Sequence, residues 1–473
     1  MSTRKVKVAI IGAGTAGLTA RREVEKLTDD YVVIDDGILG TTCARVGCMP
    51  SKVLIQVAND FHRRKVYAQE GILGSENLSL DPVKVMEHVR SLRDRFVRGV
   101  MKGMENWQGN HFIAKRARFI DENTLDLGDE KVIADKIIIA TGSSPIFPGP
   151  WKAFSKYFID TDAFFEQKTF PQKIAVIGLG VIGIELGQAL HRLGFDVVGI
   201  GKGLSIGGIT DPVLQSYVQK KLSEEMKLSF EGVTEVSEQD GKLLLKTPEG
   251  DHLVDQALLA MGRKPNLSNL GLESLNLKLD QRGIPIFDKN TLQIPGHSIF
   301  IAGDVNGERP ILHEASDQGR IAGYNVLRDT PQCFQQRTSL GITFSSPNIA
   351  TVGLKHQELL EQGFDFAVGE VSFEGQGRSI VMLSEKGLMR IYGEKGTGRL
   401  LGAEMFAPAG EHMAHLIAWA ISMGMTAQQV LAMPFYHPVV EEGLRTAIRG
   451  LAKTSAAPKN ALEVLRCQDH LIR

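Results

Sequence analysis

A chain of 473 residues is too long for a single hydrophobic core, so length alone predicts two to four domains. A net charge of −1, with acidic and basic residues interspersed, offers no field for nucleic acid or anionic lipid, and no run approaches the roughly 20 apolar residues of a membrane span. The first residues enter a strand-like run with no charged-then-apolar leader, so the expected setting is the cytoplasm.

Residues 6–34 read as strand, tight turn, helix, strand: Val6–Ile11, then Gly12-Ala13-Gly14-Thr15-Ala16-Gly17, a helix rich in Ala, Leu, Arg and Glu, and Tyr31–Ile34. In that context the glycines have separate duties. Gly12 permits the sharp turn, Gly14 lets backbone approach a pyrophosphate, and Gly17 lets helix and strand pack closely, with the helix N-terminus facing the phosphate. Asp35 closes the second strand, where a carboxylate accepts hydrogen bonds from a ribose diol.

The next segment, Gly40-Thr41-Thr42-Cys43-Ala44-Arg45-Val46-Gly47-Cys48-Met49-Pro50-Ser51-Lys52, is the most specific in the chain. Pro50 reads as a first-turn residue of the helix that follows, so both sulfurs lie near a helix N-terminus, where the dipole and Lys52 favour thiolate. A low-pKa thiolate is what disulfide exchange requires. No second cysteine or histidine pair stands at ligand spacing, which argues against zinc and leaves no metal expected. Of the four cysteines, Cys333 and Cys467 are isolated and read as ordinary thiols.

Lys136–Ala140 is a buried-type strand that ends in the small turn Thr141-Gly142. A second nucleotide unit follows at Lys173–Ile177, Gly178-Leu179-Gly180-Val181-Ile182-Gly183 and a helix through Leu193. Applying the first copy's spacing puts Gly201, followed by Lys202, where an acid would stand. The carboxylate that favours NAD is therefore missing, and Lys202 supplies half of the signal for NADP. A further apolar strand, His297–Ala302, ends in Gly303-Asp304, which puts Asp304 at a strand's C-terminal end, where α/β proteins place ligand-binding groups.

With GAGTAG, CARVGCMPSK, ATGSSP, GLGVIGIE, GRKPN, IFIAGDV and HPVVEE in this order, the chain resembles the class I flavoprotein pyridine nucleotide–disulfide oxidoreductases from about residue 5 to about residue 450. The opening of the second nucleotide helix looks more like the dihydrolipoamide dehydrogenase branch than the glutathione reductase branch. The resemblance implies an α/β chain with two Rossmann-like dinucleotide-binding domains and a C-terminal α+β dimerisation domain. Its partition would be an FAD domain at 1–148 and 276–339, an NAD(P) domain at 149–275 and an interface domain at 340–473.

The same resemblance implies FAD in the first site and NAD or NADP in the second. Cys48 would be the thiolate against the flavin and Cys43 the sulfur that exchanges with substrate. Lys52 and Glu185 would lie near the flavin, and His437 with Glu442 would be the acid/base pair reaching the disulfide from the other subunit of a homodimer. Thr42, Thr141, Gly142, Gly262, Arg263, Gly303 and Asp304 are the remaining residues expected at the cofactors.

Three positions depart from the family pattern: Thr41 for a glycine, Arg45 for Asn, and Val439 for Thr. The expected reaction is oxidation of a dithiol, dihydrolipoamide being favoured, free or on a lipoyl-bearing protein, with electrons passing to NAD(P) or in reverse. The alternatives are an NADPH-driven reductase of a low-molecular-weight disulfide and a flavin-bearing redox-sensing or binding subunit.

Overall fold

The computed structural model describes residues 2–454 and 462–464; Cys467 lies outside them. Three sheets organise the chain. In the first, strand Ser2–Ile11 lies between Tyr31–Ile34 and Glu130–Ile139, all parallel, and Ile299–Ile301 adds to the far side of Glu130–Ile139. Val8, Ile10, Val32, Ile34, Ile137 and Ile139 are fully buried, as expected of parallel strands covered on both faces. The second sheet is parallel throughout, in the order Lys227–Ser229, Asp196–Ile200, Lys173–Ile177, Gln256–Leu259 and Phe158–Asp160. The third is antiparallel, running Leu340–Thr343, Asn348–Gly353, Leu400–Ala407, Leu388–Glu394 and Phe366–Ser372. Helices Gly410–Ser422 and Glu442–Ala452 share its core through Met413, Ile417, Leu444 and Ile448.

The first two sheets carry the same unit. Ile11 pairs with Ile34 and Ile177 with Ile200, and the amides of Gly12 and Gly178 each donate 2.8 Å to the carbonyl ending the neighbouring strand. Gly201 is thus the structural counterpart of Asp35, since each directly follows its strand.

The chain crosses between the two units at Ser143–Pro145 and Arg263–Pro265, which pair as an antiparallel ribbon. Leu270 and Leu275, counted with the inserted unit in the sequence partition, pack in the core of the first sheet instead. The return crossing therefore precedes residue 276, because the apolar side chains just after the ribbon find the first core.

Buried polar groups fasten the inserted unit to the third sheet. Glu404, fully buried, accepts hydrogen bonds from the amides of Thr210 and Asp211, each at 2.8 Å, and Asp211 accepts from Arg390 at 2.7 Å. The Tyr392 hydroxyl lies 3.0 Å from both carboxylates, and burial with two acids beside it pushes its pKa up. Two buried carboxylates are tolerable only with donors supplied this densely.

Candidate active site

The two glycine loops behave alike. A Cβ on Gly12, at φ +111°, would lie 2.2 Å from the Ala140 carbonyl oxygen, and one on Gly17 would lie 1.9 Å from that of Gly12. At Gly178, φ +103°, and Gly183 the corresponding distances are 2.3 and 1.7 Å. No side chain fits at these four positions. Around Gly14 and Gly180 nothing lies within 4 Å of a would-be Cβ, so the middle glycine of each loop faces open space at a helix N-terminus. That is the shape a pyrophosphate requires.

Beside the first loop is a cavity of about 300 Å³ whose lining includes Gly12, Asp35, Asp36, Thr141, Lys264 and Asn266. Asp35 accepts from the Ala13 amide at 2.6 Å and from the Gly37 amide at 2.7 Å, which fixes its carboxylate at the cavity wall. Thr141 Oγ1 donates to the Asn266 carbonyl at 2.8 Å, and Asn266 Nδ2 returns a bond to the Thr141 carbonyl at 2.9 Å. Asp304 accepts from Ser143 Oγ at 2.8 Å, and Arg263 grips the Ser143 carbonyl at 2.7 Å and Asp162 at 3.0 Å. The turns at Gly142, Gly262 and Gly303 all have φ between +69° and +93°. Asn266 and Ser143 were not singled out in the sequence. Asn266 ties to Thr141 and Ser144, and Ser143 to Asp304 and Arg263; both stand inside the ATGSSP and GRKPN segments, but the sequence alone does not tell which member of a motif makes the contact.

The cysteines occupy consecutive helices. Thr41 caps Thr42–Val46 by accepting from the Ala44 amide at 3.3 Å, at φ +63°, a left-handed conformation that its β-branched side chain tolerates poorly. Cys43 lies in this short helix. Cys48 is the first residue of the helix Cys48–Arg63 and its side chain is exposed. Both are free thiols in hydrogen-bond contact. The bond donated by Cys43, and next the Lys52 ammonium, bring Cys48 down to about 7, while the same bond together with burial pushes Cys43 up. Cys48 is thus the thiolate of the pair near neutral pH, and Cys43 holds the proton.

Helix Cys48–Arg63 lies along Val181–Arg192. Lys52 Nζ meets Glu185 at 2.7 Å and Asn59 meets Arg192 at 2.6 Å; each tie is about two turns further along both helices, so the helices run parallel and their N-termini share one end. The thiols and the second glycine loop accordingly face the same side of the molecule. Glu185, 3% exposed, also accepts from the Phe344 amide at 2.9 Å, and Lys52 Nζ stands 4.6 Å above the Phe344 ring. Phe344 enters from the third sheet's domain and has no signal in the sequence.

His437 and Glu442 are together but apart from the sulfurs. Nδ1 of His437 lies 3.0 Å from Glu442 Oε1, and Glu442 opens the helix Glu442–Ala452. A carboxylate only accepts, so Nδ1 donates and Nε2 is left as the basic nitrogen. The His437 bond holds the Glu442 carboxyl below its usual range. The imidazole is 81% exposed, and among the described residues no hydrogen bond or ion pair joins it to Cys43 or Cys48. Within one chain the base and the thiols are separate.

No helix among the described residues is long and apolar enough to cross a membrane. Residues 6–319 match the family model described as pyridine nucleotide-disulphide oxidoreductase, and residues 340–448 match that of its dimerisation domain. The chain is 28% identical to a dihydrolipoyl dehydrogenase of Geobacillus stearothermophilus, covering 93% of this chain and 94% of that one. It is also 28% identical to a mercuric reductase of Bacillus cereus, covering 93% of this chain and 70% of the other. The HOCl-induced flavoprotein disulfide reductase RclA from Escherichia coli superposes with a TM-score of 0.80 at 20% identity, over 94% of this chain and 99% of that one.

Proposed function

The chain belongs to the pyridine nucleotide-disulphide oxidoreductase family, and on that premise we propose that it moves electrons between NAD(P) and a small dithiol/disulfide, dihydrolipoamide being the favoured substrate. The observation that carries the reading is the hydrogen-bonded pair of Cys43 and Cys48, with the second sulfur a thiolate near pH 7 beside Lys52. FAD, held at the first loop by Gly12, Gly14, Gly17 and Asp35, would supply the two-electron relay between nicotinamide and thiols.

The chain's own residues do the rest. In the direction of disulfide reduction, His437 of a second copy of the chain takes the Cys43 proton, and the resulting thiolate attacks the substrate disulfide. The leaving sulfur receives that proton and Cys43 is held in a mixed disulfide. The Cys48 thiolate then attacks the Cys43 sulfur, closing the Cys43–Cys48 disulfide and expelling the second substrate sulfur, which takes a proton from solvent. Two electrons have passed from the cysteine pair to the substrate. Glu442 fixes the His437 tautomer, and Lys52, itself held by Glu185, keeps Cys48 ionised.

A second reading, an NADPH-driven reductase of a low-molecular-weight disulfide, is favoured by one observation, the glycine at 201. The test is a steady-state assay in both directions: NAD(P)⁺ reduction by dihydrolipoamide, and NAD(P)H oxidation by lipoamide and other small disulfides. Turnover that is lost in both Cys43→Ser and Cys48→Ser supports the reading. Turnover that survives either substitution contradicts it.

A further inference from the structure

The two nucleotide units invite a comparison within one molecule. In the first, position 13 is alanine and its amide bonds the Asp35 carboxylate at 2.6 Å. In the second, position 179 is leucine and position 201 glycine. A Cβ built on Gly201 would lie 2.9 Å from Leu179 Cδ1 and 3.1 Å from its Cγ. The Leu179 side chain therefore covers the point from which a residue at 201 would reach the ribose. It is only 4% exposed and is held by Ile184, Ile206, Ile209 and Leu214.

We propose that Leu179 is a specificity-determining residue of the second dinucleotide site: it closes the place of the diol-reading carboxylate, so that the site takes the 2′-phosphorylated nicotinamide nucleotide. The inference rests on the assignment of the second loop to that nucleotide.

With glycine at 201, no carboxylate at the strand end itself repels a 2′-phosphate or accepts from a 2′-hydroxyl. The adjoining charge is Lys202, which is exposed and, among the described residues, in no ion pair. Its backbone bridges Glu231 on the neighbouring segment, and that carboxylate is likewise unpaired with it. An ordinary core leucine would pack against the same apolar neighbours. The difference is that this one also occupies the acid's approach, and the first copy, with a methyl group at the same place, keeps its acid.

The experiment uses the flavin-loaded protein and two fragments, 2′,5′-ADP and 5′-AMP, measured by calorimetry and as competitors of NADPH and NADH. The 2′-phosphate is expected to tighten binding by roughly tenfold or more, with the gap shrinking as salt rises and lost in Lys202→Ala. Gly201→Glu alone is expected to leave NADH no better used, because Leu179 deflects the new carboxylate. Leu179→Ala combined with Gly201→Glu is expected to shift the NADH/NADPH ratio of kcat/KM toward NADH by roughly tenfold or more.

Flavin content and melting temperature of each variant show whether it is folded, and the fragment comparison on unaltered protein needs no variant at all. Equal affinity for the two fragments, a full shift from Gly201→Glu alone, or no shift in a folded double variant would each overturn the proposal. If neither fragment competes with either nucleotide, the loop assignment itself fails, which is a different result from losing selectivity.

Discussion

Cys48 is exposed and ionises near 7, whereas Cys43 is less exposed and holds its proton. Alkylation follows thiolate and access, so flavin-free protein is expected to react first at Cys48, with a rate that falls as pH drops through about 7. The sign is that of a depressed acid: the thiolate is present above that value and is protonated below it. Cys43→Ala removes the donated bond and is expected to move the inflection upward. With FAD bound the order reverses and Cys43 reacts first, because the exposed side of Cys48 is where the family resemblance puts the flavin. Peptide mapping after limiting alkylation, with and without FAD, reads both outcomes, and labelling of Cys48 first in the reduced flavoprotein contradicts the division of roles. At this scale the sequence is legible where chemistry needs a side chain of a given type, as at Cys43, Cys48, Lys52 and Glu185. It is silent on Phe344, which contributes an amide and a ring face, and on Leu179, whose effect depends on a glycine distant in sequence.

The glycine loops set the requirements of the elements around them. Gly183→Ala would drive a Cβ to 1.7 Å from the Gly178 carbonyl oxygen, so helix Val181–Arg192 must shift away from its strand; a loss of roughly 1–3 kcal/mol is expected, read as a lowered melting temperature. Gly180→Ala meets nothing within 4 Å and is expected to leave melting unchanged while raising KM for the nicotinamide nucleotide, because the methyl group occupies the approach of the phosphates. Equal melting losses in the two variants would mean that the open space at Gly180 is not a binding surface. Both loops, their strands and the helix after Pro50 are legible from glycine spacing and apolar runs. The ribbon of Ser143–Pro145 with Arg263–Pro265 is not, since it is too short to show a period, and so the sequence partition runs past the true return to the first core.

At the scale of the molecule, each chain holds a dithiol in one place and an imidazole–carboxylate pair, turned to solvent, in another. The third sheet belongs to a domain whose family model is a dimerisation domain, so a second copy is the natural source of the missing base. An isologous dimer would bring His437 of each chain to the Cys43 of the other, giving two equal sites. The family resemblance carried by the motif order implies both these residues and their placement on two chains; spacing alone implies neither, because it does not encode which surface meets which. The direct test mixes Cys43→Ser protein with His437→Ala protein under conditions that exchange subunits, with exchange verified independently. Each parent is nearly inactive, and the mixture is expected to recover disulfide turnover, since every heterodimer then contains one site with both an intact cysteine pair and an intact histidine. A mixture that exchanges fully yet remains as inactive as its parents would contradict the shared site.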